Sequence, residues 1–274
     1  MITGSEMAVV DENTAALGVS QKQLMESSGN AVAETVRAVA DQGDSITIIA
    51  GRGNNGGDAF VAARFLEEFD VQVFLLGRAD AIGTEIAREN WDALELADCE
   101  RHEITDSTAL DRGESELVVD AMLGTGISGR LREPAATAAE IINDADATVV
   151  SVDVPSGMNG ETGECPPGAV DPDHIVTFHE AKPGLDDLDA EVTVADIGIP
   201  DAAEAFVERG DLQRITRRPD SHKGDHGEVL VIGGGPYTGA PALAAQAALR
   251  AGADLVRVTC PTSVAHEVQG YSEN

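Results

Sequence analysis

The chain contains few aromatic residues, few cysteines and no long apolar run, and each shortage argues against a class of protein. Aromatic residues make up 3% of its 274 residues, so we expect a core of Ala, Val, Ile and Leu. Its three cysteines are far apart and form no CxxC motif, which argues against a disulfide framework or a zinc site. No stretch reaches the roughly 20 apolar residues of a membrane span. The first 18 residues lack the features of a signal peptide, so we expect a cytoplasmic protein.

Basic residues are also scarce. The chain carries 18 Lys and Arg against 49 Asp and Glu, for a formal net charge of −31. A surface of this sign repels phosphate backbones and anionic lipids, so we expect no nucleic-acid or membrane partner. Lysine occurs only at Lys22, Lys182 and Lys223. Abundant carboxylates with scarce lysine resemble the proteins of halophiles, in which high salt screens the repulsion. An ordinary acidic protein is the alternative.

Short β-branched runs alternate with segments of helical period, which predicts an α/β fold. Predicted strands cover 45–50, 71–76, 116–122, 147–154, 174–178, 191–198, 228–234 and 254–260, and predicted helices cover 5–17, 20–40, 58–69, 83–97, 134–145 and 241–251. Alternation of this kind favours right-handed crossovers and a mainly parallel, Rossmann-like sheet with helices on both faces. Three unusual loops follow strands, at Gly51–Asp58, Gly124–Arg130 and Asp153–Gly163. We expect them to converge on one crevice beyond the carboxyl ends of the strands.

The first of these loops reads Gly51-Arg52-Gly53-Asn54-Asn55-Gly56, a GxGxxG motif between a strand and a helix. This context is typical of dinucleotide binding and makes an NAD(P)-dependent oxidoreductase one interpretation. Gly77-Arg78 stands where such enzymes carry an acidic residue. Asp58 would compete with a pyrophosphate for the helix N-terminus, although it could equally be a simple helix cap.

The segments GRGNNGGDAFVAARFL and LMESSGNAVA extend well beyond this short motif. They resemble, respectively, the hallmark segment and the opening helix of the NAD(P)H-hydrate epimerase family, whose members interconvert the R and S hydrates of NADH and NADPH. VVDAMLGTGISGR, VDVPSGMNGETG and TFHEAKPGL follow in the family's order. The resemblance covers residues 1–210 and implies that they form an epimerase domain acting on hydrated NADH and NADPH.

The C-terminal part resembles a second family. SHKGDHGEVLVIGGGPYTGAPALAAQAALRAGADLVRVTCP is similar to the start of the ribokinase-like ADP-dependent NAD(P)H-hydrate dehydratase. This implies a linker over 211–227, an incomplete dehydratase domain over 228–274, and substrate contact near Tyr237 and Ala240. A complete domain of this kind would use ADP or ATP, with magnesium as a possible companion. We expect this chain by itself to lack dehydratase activity and to be cleaved first between Gly210 and Gly227.

The epimerase resemblance also implies a set of site residues. Substrate-binding positions are Asn54, Asn55, Gly56, Gly57, Asp58, Gly124, Thr125, Gly126, Ile127, Ser128, Gly129, Arg130 and Asp153. Asn55, Asp120 and Ser156 present oxygen from three loops, a set that suits a weakly charged cation. The resemblance implies potassium there, and a plain hydrogen-bond network is the alternative. Arg130 is a candidate phosphate ligand, with a surface ion pair as the alternative.

Asp153 ends a predicted strand, and we interpret it as the acid–base group at the hydrated carbon. Lys182 either orients Asp153, binds the substrate, or is a structural lysine at the strand ends. Two other function classes stay open at this point: the oxidoreductase, and a non-enzymatic protein-binding module, since some related proteins bind lipoproteins. Self-association into a homo-oligomer is a further expectation.

Overall fold

The computed structural model describes residues 1–110, 113–126, 129–215, 217, 219–235 and 237–271. The chain divides into two compact units, Met1–Gly210 and Asp211–Asn274.

The first unit is built on a parallel sheet. Among the described residues its strands are β1 (Ser45–Ala50), β2 (Asp70–Leu76), β3 (Glu100–Ile104), β4 (Leu117–Ala121), β5 (Thr148–Val152), β6 (His174–Phe178) and β7 (Glu191–Ala195). They lie in the order β3-β2-β1-β4-β5-β6-β7, and each neighbouring pair is parallel. The strand order reverses between β1 and β4, which is where ligands of open α/β sheets bind.

Six helices of the first unit's described residues surround this sheet. They are α1 (Gly4–Ala16), α2 (Gln21–Val39), α3 (Asn54–Phe65), α4 (Glu85–Leu96), α5 (Ala135–Asn143) and α6 (Ala202–Ala205). Thr3 and Ser20 start α1 and α2 as N-caps, each in a capping box with the third helical residue, Glu6 or Gln23. These reciprocal bonds satisfy backbone N–H groups that a helix start leaves unpaired.

Both faces of the sheet are buried. On one face, Val32 of α2, Phe60 of α3 and Trp91 of α4 join a core with alternate strand residues such as Ile48. On the other face, Ile142 of α5 packs with the opposite set, which includes Ile49 and Val118. The α/β fold with a parallel sheet and helices on both faces is therefore confirmed.

Some predicted bounds were wrong, and one strand was missed. Strands β5 and β7 end at Val152 and Ala195, before the predicted ends at 154 and 198. Helix α3 begins at Asn54, not at Asp58, because Gly53 is already its N-cap. The loop predicted over Gly51–Asp58 is therefore shorter, since its last five residues are helical. The helix also ends at Phe65, before the predicted end at 69. Strand β3 was not predicted, because ERHEI is an edge strand with only one buried residue, Ile104, and so lacks an apolar alternation.

The second unit contains a parallel pair of strands with a helix between them. They are β8 (Glu228–Ile232), α7 (Gly239–Arg250) and β9 (Leu255–Thr259), followed by α8 (Ala265–Gln269). Asp254 fixes the segment before β8, since its carboxylate accepts bonds from the backbone of Gly224 and His226 and pairs with Arg217. The bond from the backbone of His226 lowers the pKa of Asp254 most, and Gly224 and Arg217 lower it further, against an opposing effect of desolvation.

The helices in the described part of the chain are all too short or too polar to cross a membrane.

Candidate functional site

A cleft of about 1000 Å³ opens at the carboxyl ends of β1, β4 and β5. Its floor is formed by the loops that follow these strands, and helices α1 and α2 supply a wall. The predicted residues among its lining are Asn54, Asn55, Asp58, Gly124, Thr125, Gly126, Gly129, Arg130, Asp153 and Lys182. The crevice expected from the three loops therefore lies at the reversal of strand order.

The glycines after β1 allow the backbone to pass very close to the end of β4. A Cβ on Gly51 would lie 1.9 Å from the carbonyl oxygen of Met122, and one on Gly56 would lie 2.1 Å from the carbonyl oxygen of Gly51. No side chain fits at either position. Gly56 and Gly57 are buried behind the cleft, so their contribution is the close packing of α3.

The N-terminus of α3 faces the cleft without a side-chain cap. Its first backbone N–H groups have no partner within the helix, and the helix dipole makes this end attractive to anions. Asp58 does not cap it. Its buried carboxylate instead accepts a hydrogen bond from Ser28 on α2, so the helix-cap interpretation is wrong.

Arginines concentrate at this cleft although the chain is strongly acidic. Arg52, Arg130 and Arg132 line it, and the described residues place no carboxylate within ion-pair distance of Arg130. Its guanidinium is therefore available to a phosphate. Sequence reasoning missed Arg52 and Arg132 as site residues, because an isolated arginine in a loop carries no pattern.

The Asp153 carboxylate is held by two donors at the end of β5. Lys182 Nζ lies 3.0 Å from its Oδ1, and the Thr177 hydroxyl donates to the same oxygen at 3.1 Å. Asp153 has a φ of 67°, a left-handed conformation that is uncommon outside glycine. Backbone strain of this kind costs about 1–3 kcal/mol and clusters at functional sites. The structure thus aims Asp153 into the cleft.

Lys182 lies after β6 with its side chain 2% exposed. Its ammonium group also contacts the Thr177 hydroxyl and the carbonyl oxygens of Phe178 and Glu180, each at 3.1 Å. The ammonium group thus has four oxygen acceptors around it for its three N–H bonds. Lys182 therefore positions Asp153 and has no N–H left for a substrate.

Two further aspartates share the cleft with this pair. Burial raises the pKa of Asp58 well above its ordinary value, with the Ser28 hydrogen bond opposing the rise and the charges of Asp153 and Asp11 adding to it. Burial also raises the pKa of Asp11, which lies on α1 in the electrostatic field of Lys182 and Asp153. Asp11 was missed by sequence reasoning, because a single aspartate in a helix gives no functional signal.

Asp120 and Ser156 lie completely buried below the cleft. The Asp120 carboxylate accepts bonds from the Ser156 hydroxyl at 2.6 Å, the Ser156 backbone at 2.9 Å and the Ser151 hydroxyl at 2.9 Å. Burial raises the pKa of Asp120 although these bonds lower it. The hydrogen bonds therefore offset only part of the cost of burying a charged Asp120 carboxylate.

Asn55 has a buried amide that bonds to none of the described residues, through either its oxygen or its nitrogen. An unpaired buried polar group is costly, so this amide is a candidate for a ligand. A monovalent cation would satisfy the oxygen and the uncompensated charge of Asp120, so the predicted potassium ligands fit such an ion. Within the described residues, no group of three or more His, Cys, Asp or Glu side chains could hold a metal.

The remaining predicted residues lie elsewhere. Ile127 and Ser128 lie outside the described residues. Ala240 is in α7 of the second unit, and Tyr237 precedes that helix with 84% of its surface exposed.

Two family models match the chain. One, described as YjeF-related protein N-terminus, matches residues 21–184, and one described as NAD(P)H-hydrate dehydratase matches residues 229–274.

Curated relatives match over nearly the whole chain. The bifunctional NAD(P)H-hydrate repair enzymes Nnr of Methanothermobacter thermautotrophicus and Archaeoglobus fulgidus are 48% and 46% identical to it, over 97% and 100% of the chain. The matches cover 54% and 58% of those proteins, so the chain spans about half the length of these relatives. The NAD(P)H-hydrate epimerase of Cenarchaeum symbiosum is 40% identical over 75% of the chain and 99% of its own length.

One solved structure has the same fold as most of the chain. The crystal structure of yeast ynu0, YNL200c, superposes with a TM-score of 0.61 and 24% identity, covering 82% of this chain and 97% of that one.

Proposed function

The chain belongs to the family of YjeF-related proteins, and from that membership we propose that residues 1–210 interconvert the R and S hydrates of NADH and NADPH. The observation that carries the proposal is the Asp153 carboxylate, aimed into the cleft by a strained backbone and held there by Lys182 and Thr177. An epimerase needs such a group, because the hydroxyl on the saturated ring carbon must leave and return.

The chemistry follows from this placement. Asp153 in its acid form donates a proton to the hydroxyl oxygen, the C–O bond breaks, and water leaves with the bond's electron pair. The resulting cationic ring is stabilised by electrons from its nitrogen. When water adds to the opposite face, the new C–O bond has the inverted configuration and the water must lose a proton to a base. Lys182 keeps Asp153 in one orientation through both steps.

The dinucleotide is proposed to lie along the rest of the cleft. The N–H groups of Asn54 and Asn55 at the start of α3 suit one phosphate of the pyrophosphate. The loop 124–130 supplies backbone contacts, and the free guanidinium of Arg130 suits a second phosphate.

Potassium is proposed as the cofactor of this half, held by Asn55, Asp120 and Ser156. When bound, the ion supplies a positive charge beside the buried Asp120 carboxylate. The buried amide oxygen of Asn55, which has no partner among the described residues, would then gain one.

Residues 228–274 are proposed to begin an ADP-dependent NAD(P)H-hydrate dehydratase domain, which would dehydrate the S form in the whole protein. Tyr237 and Ala240 are its proposed substrate contacts, and ADP or ATP with magnesium its proposed cofactors. The family match to this segment supports the proposal. A cytoplasmic location, a halophilic origin and self-association stay predictions from the sequence.

Two observations argue against an NAD(P)-dependent oxidoreductase: the residues at the end of β2, and the names of the curated relatives, which are repair enzymes and an epimerase. The Arg52 side chain lies on Gly77, so close that a Cβ there would be 2.8 Å from Arg52 Cδ. This is where a dehydrogenase would place an acidic side chain on the ribose. The relatives also do not favour the binding-module alternative.

The test couples this chain to an independent dehydratase specific for the S form. We expect the chain to accelerate consumption of the R hydrate of NADPH, and Asp153→Asn to abolish the acceleration. Asp98→Asn is a matched control, because Asp98 also has a positive φ (58°) but lies outside the cleft. An R hydrate that is consumed no faster with the wild-type chain than without it would refute the proposed function.

A further inference from the structure

Inversion at a ring carbon makes a demand that Asp153 alone does not meet. The hydroxyl leaves from one face of the ring, and water returns to the other. A carboxylate beside one face reaches only the oxygen on that face. A second proton-accepting group is therefore needed across the ring.

Lys182 and Asp58 do not meet this demand. The ammonium group of Lys182 is surrounded by four protein acceptors and is 2% exposed. Asp58 is 9% exposed, and its Oδ1 accepts a hydrogen bond from Ser28. Glu133, which also lines the cleft, is exposed to solvent and accepts a hydrogen bond from Thr137.

Asp11 meets it. Its side chain lines the cleft from α1, so it approaches a bound ring from a different element than Asp153, which follows β5. In the described part of the chain, its carboxylate forms no hydrogen bond or ion pair. It is half-buried, so it is shielded from bulk water but open to the cleft.

Helix α1 is also firmly placed. The backbone N–H of Ile2 donates to the carbonyl oxygen of Ala181, next to Lys182, at 3.0 Å. The Asn13 side chain donates to the carbonyl oxygen of Ala203 and accepts from the backbone N–H of Gly210. These bonds hold Asp11 in a fixed position relative to the Asp153–Lys182 pair.

We propose that Asp11 is a second acid–base residue, which serves the face of the ring opposite to Asp153. In one direction Asp153 donates a proton to the departing hydroxyl, and the Asp11 carboxylate accepts a proton from the water that adds across the ring. In the reverse direction Asp11 donates and Asp153 accepts. Each turnover moves one proton from one carboxyl to the other, and exchange with water through the open cleft restores the starting state. The proposal rests on the epimerase function proposed above.

The test separates loss of the hydroxyl from inversion. The wild-type chain, Asp11→Asn, Asp11→Glu and Glu12→Gln are each incubated with the pure R or pure S hydrate of NADPH in ¹⁸O-labelled water. Mass spectrometry measures label in the substrate, and chromatography measures inversion. Glu12 is the matched control, because it neighbours Asp11 on α1 but pairs with the exposed Arg209.

The wild-type chain and Glu12→Gln are expected to exchange and invert both epimers. Asp11→Asn should invert at least about 100-fold more slowly, within the usual range for loss of an acid–base group. It should still exchange label into one epimer, the one whose hydroxyl faces Asp153, and Asp11→Glu should recover part of the inversion.

Two results with Asp11→Asn would overturn the proposal: inversion at the wild-type rate, or equal loss of exchange and inversion for both epimers, which indicates a structural role. A wild-type chain that neither exchanges nor inverts would overturn the epimerase function itself. Because that result is obtained with the wild-type chain alone, failure of the epimerase function is distinguished from failure of the Asp11 proposal.

Discussion

Replacing Lys182 with methionine removes the buried cation of the cleft and keeps the length of the side chain. Three carboxyl groups, Asp11, Asp58 and Asp153, then share the site without Lys182's charge. The variant should be markedly destabilised at neutral pH, because a charge that was paired at 3.0 Å is left without its partner.

The magnitude follows from burial and geometry. Loss of one partner of a buried ion pair costs about 3–5 kcal/mol. The side chain of Asp153 is 16% exposed towards the cleft, so water reaches the bared carboxylate and the low end of this range applies. The carbonyl oxygens of Phe178 and Glu180 lose a donor as well, although water entering the vacated space replaces it. We expect a loss of about 3 kcal/mol.

The destabilisation should depend on pH. Burial already raises the pKa of Asp11, and the charge of Lys182 opposes that rise. Without Lys182, the pKa of Asp11 in the folded state rises further above its unfolded value of about 3.9. A carboxyl with a raised folded pKa contributes stability that is fully present below the unfolded value and is lost as pH rises through the folded value. The variant should therefore lose less stability at pH 4.5 than at pH 7.5.

Urea unfolding followed by tryptophan fluorescence measures this effect. The single tryptophan, Trp91, is buried in the first unit, so its signal reports on the unit that contains the cleft. Lys22→Met is the matched control, because Lys22 pairs with Glu89 at the surface, where an ion pair is worth about 0–1 kcal/mol. Equal losses in the two variants, or a loss in Lys182→Met that does not change between the two pH values, would refute the reasoning.

Three other predictions address the cation, the packing and the salt dependence. Asp120→Asn should weaken both the potassium dependence and the substrate affinity, and an unchanged potassium response would contradict the assignment of the cation ligands. Gly29→Ala should cost about 2 kcal/mol in unfolding measurements, because its Cβ would lie 2.4 Å from Val61 on α3 and overpacking costs about 1–3 kcal/mol; a stable variant would show that α2 can shift. Transfer from molar KCl to dilute buffer should reduce the helical circular dichroism signal, because the Debye length grows from about 3 Å and the excess carboxylates repel each other. A signal that survives dilution would mean that the acidic composition has another cause.

Local residue patterns were sufficient to predict the bounds of some helices and strands. The bounds of β1, α2 and β6 were predicted to within one or two residues, because apolar period and capping residues are local features. Convergence of the three loops was predictable as well, since the strands of a parallel sheet have their carboxyl ends at one edge. β3 was missed because an edge strand needs no apolar alternation.

The sequence by itself determined the alternation of most strands and helices, the crevice at the carboxyl ends of the strands and the aspartate at the end of β5. Only the tertiary structure decided which other groups share that crevice. Asp11 and Asp153 are 142 positions apart and line the same cleft, because α1 is bonded to the loop that carries Lys182. Asp58 accepts a hydrogen bond from Ser28 and does not cap α3, because α2 packs on α3 and brings Ser28 beside it. Such placements depend on contacts between distant segments, and no local pattern of residues encodes them.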